Sequence, residues 1–200
     1  MTPDRARVGV LISGRGSNMI ALAEAARDPA CPYEVALVGS NDPEAAGLKA
    51  AAAMGIPTWA HSHVGLKRAE FDALVDAALR EAGVSFVALA GYMRLLSPGF
   101  VEKWAGRMIN IHPSLLPKYK GLDTHARAIE VGDTVHGVSV HEVTAELDDG
   151  PVLAQAEVPV LAHDTPESLA ARVLIEEHKL YPRALAEFVS RAQFRSCSSA

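Results

Sequence analysis

Cysteine is scarce: the 200-residue chain has only Cys31 and Cys197. Two thiols cannot build a disulfide framework or a Cys-rich zinc site. Long apolar runs are missing as well. Mean hydropathy is +0.11, yet no stretch nears the ~18–20 apolar residues of a membrane span. Basic charge is not in excess, with 19 Lys and Arg against 24 Asp and Glu and a net charge of −5. That disfavours nucleic acid as a partner and, at first sight, anionic ligands too. The opening residues 1–7 lack the apolar segment and small-residue cleavage site of a secretory signal, so a cytoplasmic protein is expected. There is no HExxH motif. His125, His136 and His141 match no metal-ligand spacing, so no metal is expected. His136 reads as structural, and His61, His63 and His163 read as surface.

What is present is an ordinary globular composition, 49% hydrophobic and 22% charged. A chain of this length can bury roughly 70% of its unfolded surface without staples. Strand-like and helix-like segments alternate. Val8–Ile12 is a short apolar run broken by Gly14-Arg-Gly16. Ser17 or Asn18 can then cap a helix over Met19–Arg27. Val35–Val38 reads as a strand, residues 44–54 as an Ala-rich helix, Lys67–Glu81 as a helix with apolar residues at helical spacing, and Val84–Ala90 as a buried strand. Pro98 suits a helix start. Met108–Ile111 reads as a strand, and Asp123 or Thr124 as the cap of a helix reaching Val131. The period then changes. Thr134–Val143 and Val152–Val160 read as two long strands joined through Asp148-Asp149-Gly150. A last helix is expected over Pro166–Phe188. Flexible tails are expected at residues 1–6 and about 192–200. This order predicts an α/β fold: one domain with a mostly parallel sheet, helices on both faces and an antiparallel extension at the C-terminal edge.

In such sheets ligands sit beyond the carboxyl ends of the strands. Three motifs lie there. Ser13-Gly-Arg-Gly-Ser-Asn18 is a Gly-rich turn opening a helix, whose N–H groups and partial positive charge suit a phosphate. No Gly-Lys-Ser/Thr follows and the third glycine of a dinucleotide fingerprint is missing, so one phosphate fits better than a pyrophosphate. A plain structural turn explains the motif about as well. Asn110 and His112 are two apart on a strand and so share a face. An amide and an imidazole placed together can donate to a developing oxyanion, and the imidazole can relay a proton. The bland alternative is a satisfied polar pair, and the rigid loop behind it, with Pro113 and Pro117, shifts the balance toward function. Asp148 and Asp149 read as turn formers unless the turn folds against His112, where a carboxylate would orient and charge the ring. Met93, Leu95 and Leu96 could be core or could line a pocket for a flat ring. Lys67 and Arg68 could meet a carboxylate or stay solvated.

Together the motifs resemble those of one family, phosphoribosylglycinamide formyltransferase of purine biosynthesis. The residues that carry the resemblance are Leu-Ile-Ser-Gly-x-Gly-Ser-Asn at 11–18, Leu-Ala-Gly-Tyr-Met-Arg-Leu-Leu-Ser at 89–97, Asn-Ile-His-Pro-Ser-Leu-Leu-Pro at 110–117, His-Gly-Val-Ser-Val-His at 136–141 and Glu-Leu-Asp-x-Gly-Pro at 146–151. The resemblance implies a Rossmann-like formyltransferase fold and transfer of formyl from 10-formyltetrahydrofolate to the amine of glycinamide ribonucleotide. It implies Asn110, His112 and Asp148 as the catalytic group. Gly16, Ser17 and Asn18 would hold the 5′-phosphate, with Lys118 and Glu177 at the ribonucleotide. Arg68, Met93, Arg94, Leu95, Leu96 and Val143 would meet the folate. No metal is implied, and the chain is expected to act as a monomer or homodimer.

Two positions depart from the family pattern. Asp149 stands where Gly or Cys is expected, and a second carboxylate there is expected either to raise the pKa of its neighbour or to change the loop's flexibility. Asp123 stands where many relatives carry His. The alternatives are another enzyme that uses the same folate, such as a formyltetrahydrofolate hydrolase or another formyltransferase, and a non-catalytic nucleotide-binding module. The hydrolase usually carries an extra N-terminal domain and the tRNA-directed enzyme a C-terminal one, so the glycinamide branch is expected. Retention of all three catalytic types argues against a mere binding module.

Overall fold

A computed structural model describes residues 5–197. Seven strands form one sheet: β1 (Ala6–Ile12), β2 (Tyr33–Ser40), β3 (Thr58–Ala60), β4 (Phe86–Leu89), β5 (Met108–His112), β6 (Val135–Glu142) and β7 (Val152–Pro159). Their spatial order is β3-β2-β1-β4-β5-β6-β7. The first five run parallel, whereas β6 pairs antiparallel with β5, and β7 with β6. The α/β class, the parallel core and the antiparallel edge are as the alternating pattern predicts.

The helices are α1 (Ser17–Ala25), α2 (Ala46–Ala53), α3 (Arg68–Glu81), α4 (Pro98–Lys103), α5 (Thr124–Val131) and α6 (Pro166–Cys197). Period-two alternation sends Val8, Val10 and Ile12 of β1 to one face, where they pack with Met19 and Leu22 of α1 and with Leu169, Val173, Tyr181 and Leu185 of α6. Leu11 points to the opposite face, with Phe71, Val75 and Leu79 of α3 and with Phe100 and Trp104 at α4. Both faces of the parallel core are thus covered, as a parallel sheet requires. Tyr181, fully buried, ties α6 to the sheet by donating its hydroxyl to the Leu89 carbonyl at 2.8 Å.

Several boundaries differ from expectation. β1 starts at Ala6 and α6 continues to Cys197, so residues 6 and 192–197 belong to regular elements, and Arg5 is tied down by donating its Nε–H to the Tyr33 carbonyl at 3.0 Å; residues 1–4 and 198–200 of the expected tails lie outside the described residues. The short edge strand β3 was not expected. Helix α1 is capped not by Ser17 or Asn18 but by Gly16, in the left-handed region at φ 73°. A Cβ at Gly16 would also stand 2.9 Å from the Gly47 Cα, so glycine is needed there twice over. Asp123 caps α5 without a side-chain hydrogen bond, from a left-handed backbone at φ 57°. In α3 the Glu70 carboxylate accepts from the Lys67 N–H at 2.9 Å, which satisfies one orphan donor of the first turn.

The order reverses at β1, whose two neighbours are β2 and β4. The turns after β1, β4 and β5 therefore open at one edge of the sheet, around the crevice where α/β folds place ligands.

Candidate active site

Asn110 and His112 sit at the carboxyl end of β5. Antiparallel pairing sets His141 of β6 directly across from Asn110, and Ser139 across from His112. The Asn110 Nδ2 lies 3.2 Å from the His141 Nε2. His141 donates its Nδ1–H to the Glu142 carbonyl at 2.8 Å, so in the neutral ring Nε2 is free to accept from the Asn110 amide.

Asp148 does fold over this strand end. Its Oδ2 is 3.4 Å from the His112 Nδ1, and its Oδ1 is 3.6 Å from the His141 Nε2. All three side chains are buried, Asp148 at 8% exposure. The backbone N–H of Gly121 donates to the Asp148 Oδ2 at 3.0 Å. Burial raises the pKa of Asp148, but the adjacent His141 ring, the Gly121 N–H and the nearby His112 together outweigh it, and the net shift is downward. Of the two effects expected of Asp149, a raised pKa at Asp148 is not found. The Asp149 carboxylate points outward and is paired with the Lys120 ammonium, which neutralises its field. Asp148 also holds a left-handed backbone at φ 49°, a conformation Asp tolerates better than most residues and one that aims its carboxylate inward.

His112 has no uncommitted ring nitrogen. Its Nε2 meets the Tyr119 carbonyl at 2.8 Å while Nδ1 faces Asp148. His141, Tyr119 and Gly121 were not foreseen as members of the site.

The Gly-rich turn lies at the N-terminus of α1, where the first N–H groups have no intrahelical partner. Asn18, expected at a phosphate, donates its Nδ2 to the Glu177 Oε2 of α6 at 2.6 Å. The two residues expected at the ribonucleotide thus meet across 159 positions of chain. Both are buried, and burial raises the pKa of Glu177 while the Asn18 bond opposes it. The Asn18 Oδ1 has no protein partner. Lys118 is held elsewhere, with its ammonium on Asp133 at 2.9 Å.

A cleft of about 420 Å³ is lined by Asn41, His63, Arg68, Met93, Arg94 and Leu95. It gathers four of the six residues expected at the folate. Leu96 and Val143 pack half-buried against the second core cluster. Met93 is 68% and Leu95 52% exposed, which suits ring-binding surface better than core. The Arg94 guanidinium stacks over Phe71 at 4.9 Å. His63, expected at the surface, is half-buried and its Nδ1 donates to the Asn41 carbonyl at 3.0 Å. Another hollow, about 460 Å³ between α1 and α6, includes Ser17 but no other expected site residue. Among the described residues no group of three or more His, Cys, Asp or Glu could hold a metal ion, and no helix is long and apolar enough to cross a membrane.

The chain is similar along most of its length to known proteins. Residues 6–185 match the Formyl transferase family. The chain is 46% identical over 182 residues to the phosphoribosylglycinamide formyltransferase of Escherichia coli, covering 90% of this chain and 85% of that one. It is 47% identical over 182 residues to the human trifunctional purine biosynthetic protein adenosine-3, but spans only 18% of that protein's length. A crystal structure of phosphoribosylglycinamide formyltransferase from Brucella melitensis superposes with a TM-score of 0.89 at 49% identity, covering 93% of this chain and 96% of the other. Glycinamide ribonucleotide transformylase 1 from Symbiobacterium toebii gives 0.90 at 42%, covering 93% and 88%. With this sheet, this cluster at its carboxyl edge and these matches along most of its length, the chain belongs to the formyl transferase family.

Proposed function

We propose that this chain transfers the formyl group of 10-formyltetrahydrofolate to the amine of glycinamide ribonucleotide. The observation that carries the reading is the Asp148 carboxylate set between His112 and His141, beside the Asn110 amide. The similarity to phosphoribosylglycinamide formyltransferases supports the choice of substrates.

The ribonucleotide phosphate fits the N–H groups of Gly16, Ser17 and Asn18 at the start of α1, and the buried Glu177 can accept from a sugar hydroxyl. Lys118 lies close enough in the chain to His112 to reach the ribonucleotide on leaving Asp133. The folate fits the cleft, its ring against Met93, Arg94, Leu95, Leu96 and Val143 and its carboxylate tail at Arg68. A net negative protein can thus hold two anionic ligands, because dipoles and one or two cations act locally.

The substrate amine attacks the formyl carbon and forms a tetrahedral alkoxide. Asn110 donates its amide to that oxygen once released from His141. His112 can add its Nε2–H, because an alkoxide is a stronger acceptor than the Tyr119 carbonyl. Removing one such donor typically costs ~10²–10³ in rate. Asp148, ionised at neutral pH, takes the proton released by the amine, directly or through His112 or a water. The same proton passes to the folate nitrogen as the carbon–nitrogen bond breaks, so the catalytic group ends as it began.

The test mixes protein, ribonucleotide and a 10-formyl folate analogue and follows the absorbance of the deformylated folate. Turnover that needs the ribonucleotide and exceeds that of His112→Ala is expected. A signal no larger than that control sinks the proposal, and a signal without ribonucleotide points to hydrolysis instead.

A further inference from the structure

We propose that Tyr119 and Asp133, neither of which needs to touch a substrate, are positioning residues that keep the proton of His112 on Nε2. The inference deepens the function proposed above and rests on it for its kinetic consequence.

A carbonyl can only accept a hydrogen bond. The 2.8 Å contact between the Tyr119 oxygen and the His112 Nε2 therefore places a hydrogen on Nε2. The Asp148 Oδ2 competes for that hydrogen from the other side of the ring, but it stands 3.4 Å from Nδ1 against 2.8 Å for the Tyr119 contact, so the shorter bond decides where the neutral ring keeps its hydrogen, and Nδ1 is the nitrogen that gains a proton when one moves toward the carboxylate. The loop thereby selects the tautomer whose Nε2–H the alkoxide needs. The same loop holds Asp148, through the Gly121 N–H. Residues 119–121 thus fix both members of the pair.

The tyrosine is not in that place for local reasons. It has φ 56°, a left-handed conformation that is unusual for a bulky residue and persists only where surroundings impose it. The surroundings are a cage on the side chain. The phenol donates to the Asp133 Oδ2 at 2.6 Å, and that carboxylate also takes the Lys118 ammonium. The hydrogen bonds from Tyr119 and Lys118 hold Asp133 below the usual carboxylate range. The Arg127 guanidinium lies 5.3 Å from the Tyr119 ring and donates to the Lys120 carbonyl at 2.7 Å. His136 presents its edge to the ring at 6.0 Å. Asp133 sits in the turn between α5 and β6, so its influence reaches His112 through the phenol and the backbone of Tyr119.

The variants Tyr119→Phe and Asp133→Ala remove the phenol–carboxylate bond; Asp133→Asn keeps an acceptor for the phenol. The tautomer of His112 is read in the free protein by long-range proton–nitrogen spectra near pH 7.5. Besides Asp148, the titratable groups around the ring are His141, His125 and His136; burial first, and then neighbouring imidazoles, pull His125 and His136 below the usual histidine range, so both are neutral there. The wild type is expected to show Nε2 protonated. Tyr119→Phe and Asp133→Ala are expected to show averaging between the two nitrogens and kcat reduced on the order of 10–100-fold, as misplacement by about an ångström would produce, with both KM values nearly unchanged in Tyr119→Phe, which leaves Lys118 on Asp133. Asp133→Asn is expected to recover most of the rate. A wild-type His112 spectrum in Tyr119→Phe and Asp133→Ala overturns the inference whatever the rates do, and so does a loss that appears in KM alone. If the wild type transfers no formyl, the proposed function fails, and the His112 spectrum still decides this point.

Discussion

The Asn18 side-chain amide donates to the Glu177 carboxylate at 2.6 Å, joining the first helix of the chain to the last beneath the Gly-rich turn. A buried carboxylate that keeps one amide partner is expensive to leave unpaired. Asn18→Ala is therefore expected to raise the KM for the ribonucleotide roughly 10-fold or more, the value of a hydrogen bond to a charged group. The KM for the folate should move by less than half that factor on a logarithmic scale. Steady-state kinetics with each substrate varied in turn makes the comparison. Equal changes in both would remove Asn18 from the ribonucleotide site.

Asp148 makes a separate case, because its role is chemical. Asp148→Asn keeps an oxygen to accept from the Gly121 N–H, so the loop should persist. It cannot hold a proton, so kcat is expected to fall about 10²–10⁴-fold with little change in KM. The sign of the stability effect follows from the depressed pKa in the fold. The carboxylate stabilises the native state above the unfolded value of about 3.9, and that contribution is lost as pH falls through the folded value. Urea unfolding at neutral pH should therefore find the variant somewhat less stable, and the difference should vanish in acid. A kcat within 10-fold of wild type would end the assignment of Asp148 as the proton carrier.

How much of this was legible in the sequence depends on the reach of each signal. Strand–helix alternation and the change of period after residue 134 are local, and they led to the right class, the parallel core and the antiparallel edge. The strand β3 was missed because Thr58–Ala60 is three residues long, too short to show a period; it exists because the β2 edge offers it a ladder. The placing of Asn110 beside His112 is also local, since period two puts both on one face. His141 was not legible as a partner of Asn110, because cross-strand register is a property of the pair and not of either strand. Tyr119 contributes a carbonyl, which every residue has, so no side-chain pattern marks it. The approach of Asp148 to His112 could be stated only as a condition until the turn was seen to fold over.

Gly150 closes that turn at very short range. A Cβ built on it would lie 1.8 Å from the Glu142 carbonyl oxygen, an atom of β6 that cannot move freely. Gly150→Ala is expected to cost about 1–3 kcal/mol, the usual range for forcing atoms into packed space. It should also lower kcat, since the displaced turn carries Asp148. Gly99 is the control: a Cβ there meets nothing within 4 Å and the residue lies in α4, so Gly99→Ala should be neutral or stabilising by up to about 1 kcal/mol. Urea unfolding of both variants tests the contrast. Equal stabilities would mean that the turn can relax without penalty.

A buried histidine behind the site sets an acid limit on the fold. His136 is 1% exposed, and its Nε2 lies 3.1 Å from the His125 Nδ1. Burial first, and then the neighbouring imidazole of His125, lower its pKa from 6.5 to about 4. Between those values the unfolded chain binds a proton that the native ring refuses. Native stability should therefore begin to fall as pH drops below about 6.5 and should have lost the full contribution, roughly 3 kcal/mol, below about 4. This has the opposite sign to a histidine held in an ion pair, which would gain stability over the same range. His136→Gln removes the titration while keeping a polar group that can face His125. Its urea midpoint is expected to vary less between pH 7 and pH 4.5 than that of the wild type, even if it is less stable at neutral pH. Parallel midpoints for the two proteins across that range would show that the acid sensitivity arises elsewhere.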